Sequence, residues 1–331
     1  GTVEERIVQR AEKKLYLDQM VNRGSSAQSE ELEQLSSSEM MSMLKFGANC
    51  CFKTEAAPTD AQLDADLALL KRGGANYVRG AHYPQDPRLL DLCDERGVLV
   101  WDEALAWGNY AATLTDPSFL AAELGTAHAM VSAAYNHPSV VLWGFFNEGQ
   151  SDNATACPSY AAMARAFKGR DPSRLVTWAS NRKQRDLCLR HADVVSFNSY
   201  PGWYGGNASS VNASWEADAA WVAAHWPAKP FLISETGAGG IAGNHSASLQ
   251  RWSEEYQALV DGDDAATAMG SADVAGLALW QYSDIKVDQP NSSSGRPGGI
   301  NNKGVYDRWR RPKLAAARVS EIYGAAAARE A

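Results

Sequence analysis

The chain has 331 residues, 45% hydrophobic and 21% charged, with 31 basic against 39 acidic side chains and a formal net charge of −8. That composition is globular and supplies material for a large buried core, which excludes a disordered chain and a surface charged to hold nucleic acid or an anionic membrane. The longest apolar run, Val140 to Phe146, is far too short to span a bilayer, and the five scattered cysteines (Cys50, Cys51, Cys93, Cys157 and Cys188) contain no C-x-x-C pair, so neither a zinc site nor a disulfide framework is expected.

No signal peptide or targeting helix is recognisable after Gly1, and the chain reads as a fragment. Residues 1–55 are expected to be helical. Val3, Ile7, Ala11 and Leu15 recur four apart on one face, and Thr2 stands before Val3-Glu4-Glu5 as an N-cap with a carboxylate at the third helical position. Ser25 to Ser29 is linker-like, and a shorter helix follows through Glu39 to Leu44. Composition changes near residue 56, since every tryptophan lies at or beyond Trp101.

From there strands and helices alternate. The expected strands are Tyr77–His82, Val98–Asp102, Val140–Asn147, Leu175–Ala179, Val194–Tyr200, Phe231–Glu235 and Leu277–Tyr282, short apolar runs of the kind a parallel sheet buries on both faces. Helical periodicity appears at Leu63-Leu67-Leu70, Leu120-Leu124-Ala127-Val131, Met163-Phe167, Trp215-Trp221-Val222-Trp226, Leu249-Trp252-Tyr256-Leu259 and Leu314-Arg318-Val319-Ile322. Repeated units of this length predict an α/β fold, most simply a (β/α)8 TIM-type barrel. The missing Gly-rich turn after the first strand argues against a dinucleotide-binding sheet.

In a barrel, function gathers at the C-terminal ends of the strands. Those ends here carry His82, Asp102-Glu103, Asn147-Glu148, Asn198 and Tyr200, Glu235, and Trp280-Gln281. Burying so many polar groups without partners would cost several kcal/mol, so they must face a polar pocket or one another. Glu148 and Glu235 each follow a strongly hydrophobic strand, and two carboxylates across a barrel mouth can act as acid/base and nucleophile on a glycosidic bond.

Two resemblances attach to these patterns. Thr2-Val3-Glu4-Glu5-Arg6-Ile7, Ala11-Glu12-Lys13-Lys14-Leu15 and Leu44-Lys45-Phe46-Gly47-Ala48 resemble the end of the helicase lobe in chromatin-remodelling ATPases of the ISWI and CHD kind. The chain has no G-x-x-x-x-G-K-[ST] loop, so the segment reads as a docking helix or as a fragment left by a gene fusion or a misjoined gene model.

Residues 56–331 resemble the barrel domain of glycoside hydrolase family 2, the β-galactosidase, β-glucuronidase and β-mannosidase group. The motifs are Asn76-Tyr77-Val78-Arg79-Gly80-Ala81-His82-Tyr83-Pro84, Trp101-Asp102-Glu103, His137-Pro138-Ser139-Val140 leading to Asn147-Glu148, and Ser234-Glu235-Thr236-Gly237-Ala238. The resemblance implies a retaining exo-β-glycosidase without metal or other cofactor. Glu148 is its acid/base and Glu235 its nucleophile, with carboxyl groups about 5–5.5 Å apart. It places Asn147 on the sugar 2-OH, Tyr200 beside Glu235, and His82, Asp102 and Trp280 around the sugar.

Asn198-Ser199-Tyr200-Pro201-Gly202-Trp203-Tyr204 is similar to a stretch of β-glucuronidases. Asn301-Asn302-Lys303-Gly304 is similar to their N-x-K segment, whose amide and ammonium bind the uronate carboxylate. A carbohydrate substrate is therefore expected, β-glucuronide first and β-galactoside next, with no nucleic-acid or membrane partner.

The family's first barrel strand and its preceding β-sandwich domains have no counterpart, and residues 49–53 are the available surrogate for that strand. Impaired activity on an incomplete scaffold is the competing expectation, leaving a carbohydrate-binding or scaffold protein; a chromatin-remodeller fragment is the third. Five N-x-[ST] sequons, at Asn153, Asn207, Asn212, Asn244 and Asn291, suit a secreted or lysosome-like protein.

Overall fold

A computed structural model of the chain describes residues 58–287 and 295–330. The helical expectations for residues 1–55, the surrogate strand at 49–53 and the sequon at Asn291 lie outside those residues. The described residues fall in the unit that runs from Phe52 to Ala331.

Eight helices accompany ten strands among them: α1 (Asp60–Arg72), β1 (Tyr77–Gly80), α2 (Pro87–Arg96), β2 (Leu99–Glu103), α3 (Ala111–Leu114), α4 (Pro117–Ala134), β3 (Val140–Gly144), α5 (Cys157–Arg170), β4 (Leu175–Thr177), β5 (Ala179–Ser180), β6 (Val195–Asn198), α6 (Val211–His225), β7 (Phe231–Thr236), α7 (Glu254–Gly270), β8 (Gly276–Leu279), β9 (Ile285–Lys286), β10 (Ile300–Asn301) and α8 (Leu314–Glu330).

Local chemistry starts several helices where they start. Thr59 caps α1 in a reciprocal capping box with Gln62. Asp86-Pro87 and Asp116-Pro117 open α2 and α4 in the same way. The aspartate accepts backbone N–H groups of the first turn, and the proline occupies a position whose N–H has no helical partner.

The ladders run parallel in two series, β1-β2-β3-β4 and β5-β6-β7-β8. β4 and β5 are one barrel position interrupted at Trp178, whose indole N–H turns aside to Asp186 Oδ2 at 3.0 Å. The described residues thus contain seven barrel positions, and no ladder among them joins β1 to β8. Parallel pairing of Gly80 with Asp102, Asp102 with Trp143, Gly144 with Thr177 and Asn198 with Glu235 brings the polar strand ends to one rim.

Alternation along the strands separates two cores. Val100, Trp143, Val176, Phe197 and Ile233 join Phe145, Phe167, Trp215 and the helices in the larger cluster, while Trp101, Leu142, Ala179 and Val194 form a second one inside the barrel. Gly144 permits this inner packing, because a Cβ there would lie 1.8 Å from Trp101 Nε1.

The seven expected strands are all present, each within a few residues. The expectation of no disulfide needs correction. Cys157 and Cys188 form a disulfide with a Cα–Cα separation of 5.0 Å, and Cys93 is the free cysteine among the described residues. Spacing gave no sign of this bond, because it depends on the start of α5 meeting the loop after β5.

Candidate active site

The rim is built upward from the barrel interior. The Arg79 guanidinium, on β1, lies 4.7 Å from the centroid of the Trp101 ring and is almost fully buried. It spreads its donors over β2, β7 and the loop after β3. Nε and Nη2 reach the two oxygens of Glu103 at 2.9 and 3.0 Å, Nη1 reaches Glu235 Oε1 at 2.7 Å, and Nη2 reaches Asn147 Oδ1 at 2.8 Å. A guanidinium is the side chain whose fixed fork can do this while remaining charged.

Glu235, at the end of β7, is held from both sides. Its Oε1 takes Arg79 and its Oε2 accepts the Tyr200 hydroxyl at 2.6 Å. Burial and the Glu235 charge hold the Tyr200 proton well above the usual phenol range, so this hydroxyl stays a donor. His82 lies with Nε2 3.8 Å from Glu235 Oε1 and Nδ1 3.2 Å from Glu103 Oε1, its ring stacked on Trp280 at 5.1 Å.

Glu148 sits in the loop after β3 with φ at +52°, next to Phe146 at +51°. Left-handed backbone at two non-glycine residues costs about 1–3 kcal/mol each and is the kind of strain that functional loops retain. The Glu148 N–H bonds Ala179 O at 2.8 Å, fixing the loop to β5. Its Oε1 accepts Asn198 Nδ2 at 3.0 Å. Burial first, and then the charge of Glu235, push the Glu148 carboxyl above its usual range.

Asn198, Asn147 and Arg79 link Glu148 to Glu235 in one hydrogen-bonded series. Asn198 Nδ2 also donates to Asn147 Oδ1 at 3.1 Å, and Ser234 Oγ orients Asn198 by donating to its Oδ1 at 2.8 Å. With Arg79 and Asn198 both on Oδ1, the buried Nδ2 of Asn147 has no partner among the described residues and is a donor left for something else.

Lys303 approaches from the loop after β10. Its side chain is 1% exposed, with Nζ 4.8, 4.2 and 4.5 Å from the ring centroids of Tyr200, Trp203 and Tyr204 and 3.5 Å from Gly237 O. Burial, followed by the nearby positive charge of Arg296, holds the ammonium well below its usual range. Unlike Lys313, which pairs with Asp284 at 3.0 Å, Lys303 has no carboxylate partner among the described residues. Asn301 Oδ1 accepts the Lys303 N–H at 3.3 Å, and Gln257 Nε2 donates to the Lys303 and Gly304 carbonyls at 3.3 and 3.0 Å. Tyr204 is 61% exposed, at the outer edge of this cage.

The fold thus brings His82, Asn147, Glu148, Asn198, Tyr200, Trp203, Tyr204, Glu235, Trp280 and Lys303 together, with Asn301 behind Lys303. Asp102 is buried beside the cluster, where its Oδ1 accepts the Gln85 N–H at 3.0 Å; burial pushes its carboxyl up to about 7. Arg79 and Glu103 had no role assigned by sequence, although both sit inside the quoted motifs. A charged residue within an apolar strand was the available signal.

A group with metal-ligand spacing lies elsewhere. Asp91 and Asp94, within α2, meet His137 from the loop before β3, and Asp94 is already engaged by His137 Nδ1 at 2.7 Å and Ser139 N at 2.8 Å. No helix among the described residues is long and apolar enough to cross a membrane.

Comparison with known proteins bears on this rim. The family described as glycosyl hydrolases family 2, TIM barrel domain, matches residues 57–327. The chain is 33% identical over 265 residues to the β-glucuronidase of Sus scrofa and 31% identical over 266 residues to that of Homo sapiens. Each match spans 78% of this chain and 40% of the relative, so the chain covers well under half the length of these curated proteins. Among solved structures, a β-galacturonidase from Eisenbergiella tayi bound to galacturonate superposes with a TM-score of 0.76 at 37% identity, covering 82% of this chain and 48% of that one. A Faecalibacterium prausnitzii β-glucuronidase gives 0.75 at 28% identity, covering 83% and 47%.

Proposed function

The chain belongs to glycosyl hydrolase family 2 through its TIM barrel domain, and from that premise we propose that it is a retaining exo-β-glycosidase acting on terminal β-glucuronides. The observation that carries the reading is Glu235, gripped by Arg79 and Tyr200 and facing the raised carboxyl of Glu148. The matched relatives named β-glucuronidase support the same substrate class.

In the first step Glu235, oriented by Arg79 and Tyr200, attacks the anomeric carbon while Glu148 gives its proton to the leaving oxygen. Bonding Glu235 to the sugar removes its negative charge, which lowers the Glu148 pKa and readies that carboxylate to take a proton from water. Asn147 Nδ2 is the donor for the sugar 2-OH, a bond that tightens as the oxocarbenium ion develops. Trp280 and His82 form a stacked wall for the ring.

Lys303 carries the uronate preference. A buried ammonium without a counter-ion is costly, and a substrate carboxylate would neutralise it. The 37% identity to a β-galacturonidase favours a second reading, β-galacturonide, which shares the carboxylate and differs at the ring hydroxyls.

The test is hydrolysis of p-nitrophenyl β-glucuronide, β-galacturonide and β-galactoside, followed by NMR of the first-formed anomer. The expected result is a uronide preference, a β-anomeric first product and a rate abolished in Glu235→Ala. An α-anomeric first product, or equal rates for wild type and variant, would refute the proposal.

A further inference from the structure

The described sequons differ in what their asparagine and hydroxyl groups do. At Asn153-Ala154-Thr155 the Thr155 hydroxyl donates to Asn153 Oδ1 at 2.8 Å and the Thr155 N–H joins it at 3.1 Å. At Asn207-Ala208-Ser209 the Ser209 hydroxyl donates to Asn207 Oδ1 at 2.6 Å. In both, the acceptor face of the amide is held by the residue two positions on, and Nδ2 donates to nothing in the described chain. Asn207 and Thr155 are exposed and Asn153 is half-buried. These are turns closed within three residues, so they do not need the rest of the fold.

The other two are engaged differently. Asn212 is in the first turn of α6, and its Oδ1 accepts the Thr267 hydroxyl at 2.7 Å, from α7. Asn244 spends its Nδ2 on Trp252 O at 2.9 Å, and its Ser246 hydroxyl pairs with Ser248 at 3.1 Å. A sugar on Asn244 displaces the Nδ2 bond to Trp252, and one on Asn212 has to leave a side chain that its Oδ1 pins against α7.

A second, independent observation concerns compartment. The Cys157–Cys188 disulfide is a bond that forms and persists in oxidising surroundings and is rare in the cytosol. N-linked glycans are added to N-x-[ST] triplets in the secretory route, which is such a surrounding.

From these facts we infer that Asn153 and Asn207 are N-glycosylation sites and that Asn212 and Asn244 are not. The donor class is an oligosaccharide carried on a lipid diphosphate. Nδ2 bonds to the sugar C1, the C1–O bond to the diphosphate breaks with its electron pair leaving on the diphosphate, and the amide loses one proton to a base of the transferase. Both asparagines lie on loops that follow strands, β3 and β6, at the rim that carries Glu148 and Tyr200. The inference stands whatever sugar the cleft takes.

The test translates the full chain, with Asn291→Gln and a cleavable leader, into endoplasmic-reticulum microsomes. Peptides are then mapped after glycan release in heavy-oxygen water by a peptide-N-glycosidase, which hydrolyses the asparagine amide. Expected are heavy aspartate at 153 and 207, unmodified asparagine at 212 and 244, and two endoglycosidase-sensitive mobility steps. One step should remain in Asn153→Gln or Asn207→Gln and none in the double variant. Mapping of the parent chain requires no folded variant. A bare asparagine at 153 or 207, or sugar at 212 or 244, overturns the inference.

Discussion

Replacing Lys303 by methionine keeps the bulk of a side chain that is 1% exposed and removes its charge. In the free protein that ammonium has Gly237 O and three aromatic faces around it and no ion-paired carboxylate among the described residues, Asp261 and Glu235 acting on it only from further off. Losing one partner of a desolvated, hydrogen-bonded charge pair costs about 2–5 kcal/mol, so kcat/KM for a β-uronide should fall by about 30-fold to about 5,000-fold. A β-galactoside presents a neutral group to the same cage and should change by less than about tenfold.

Stability moves the other way. Burial depresses the folded-state pKa of Lys303, so between that value and its unfolded value the unfolded chain binds the extra proton. The folded form is penalised fully below the folded pKa, and stability rises as pH rises through it. Lys303→Met removes this slope and should raise the melting temperature at neutral pH, where uronate binding normally supplies the compensation. Paired kinetics on p-nitrophenyl uronide and galactoside, with melting curves from pH 6 to 10, decide the matter. Equal losses on both substrates, or an unchanged pH dependence of melting, would refute the role given to Lys303.

Burial and Glu235 both raise the Glu148 carboxyl, so Glu235→Gln should lower the Glu148 pKa, seen in a carbon-13 titration of labelled glutamate. The alkaline limb of kcat/KM should vanish in Glu148→Gln, and a retained limb would assign it to another group. Arg79→Ala leaves Glu103 and Glu235 without their cation, and breaking a buried pair in this way should cost about 3–5 kcal/mol in a denaturant titration. Arg79→Lys keeps the charge without the fork and should lower kcat more than it raises KM. For Asp102, a carboxyl raised to about 7 by burial binds its proton more tightly folded than unfolded. Stability is then lost as pH rises from about 4 toward 7, and Asp102→Asn should gain roughly 1–4 kcal/mol above pH 7 and nothing near pH 4.

The barrel was legible because its strands are short apolar runs and the helices between them show apolar spacing, both consequences of local chemistry. The errors have physical causes too. The expected helix through Leu249 and Trp252 begins only at Glu254, because both of those residues sit at positive φ, +54° and +74°, in a loop that hydrophobic spacing cannot distinguish from helix. Trp178 interrupts a strand whose apolar pattern is continuous, since its indole finds Asp186 instead of the ladder direction.

The rim residues were legible as a set, because parallel strands deliver all their C-terminal ends to one side. Which carboxyl neutralises which cation was not. Asp102 and Glu103 are neighbours of similar chemistry, and sequence placed Asp102 against the sugar while assigning Glu103 nothing. In the fold, alternation sends them in different directions. Glu103 meets Arg79 and His82, and although burial alone would raise it, the guanidinium holds it below the usual carboxylate range. Asp102 meets only backbone N–H groups, and burial prevails. The difference is decided by Arg79, 24 residues from Glu103 and 156 from Glu235 along the chain. Such a pairing belongs to barrel closure, so a charge in an apolar strand identifies the residue that organises the site without identifying its partners.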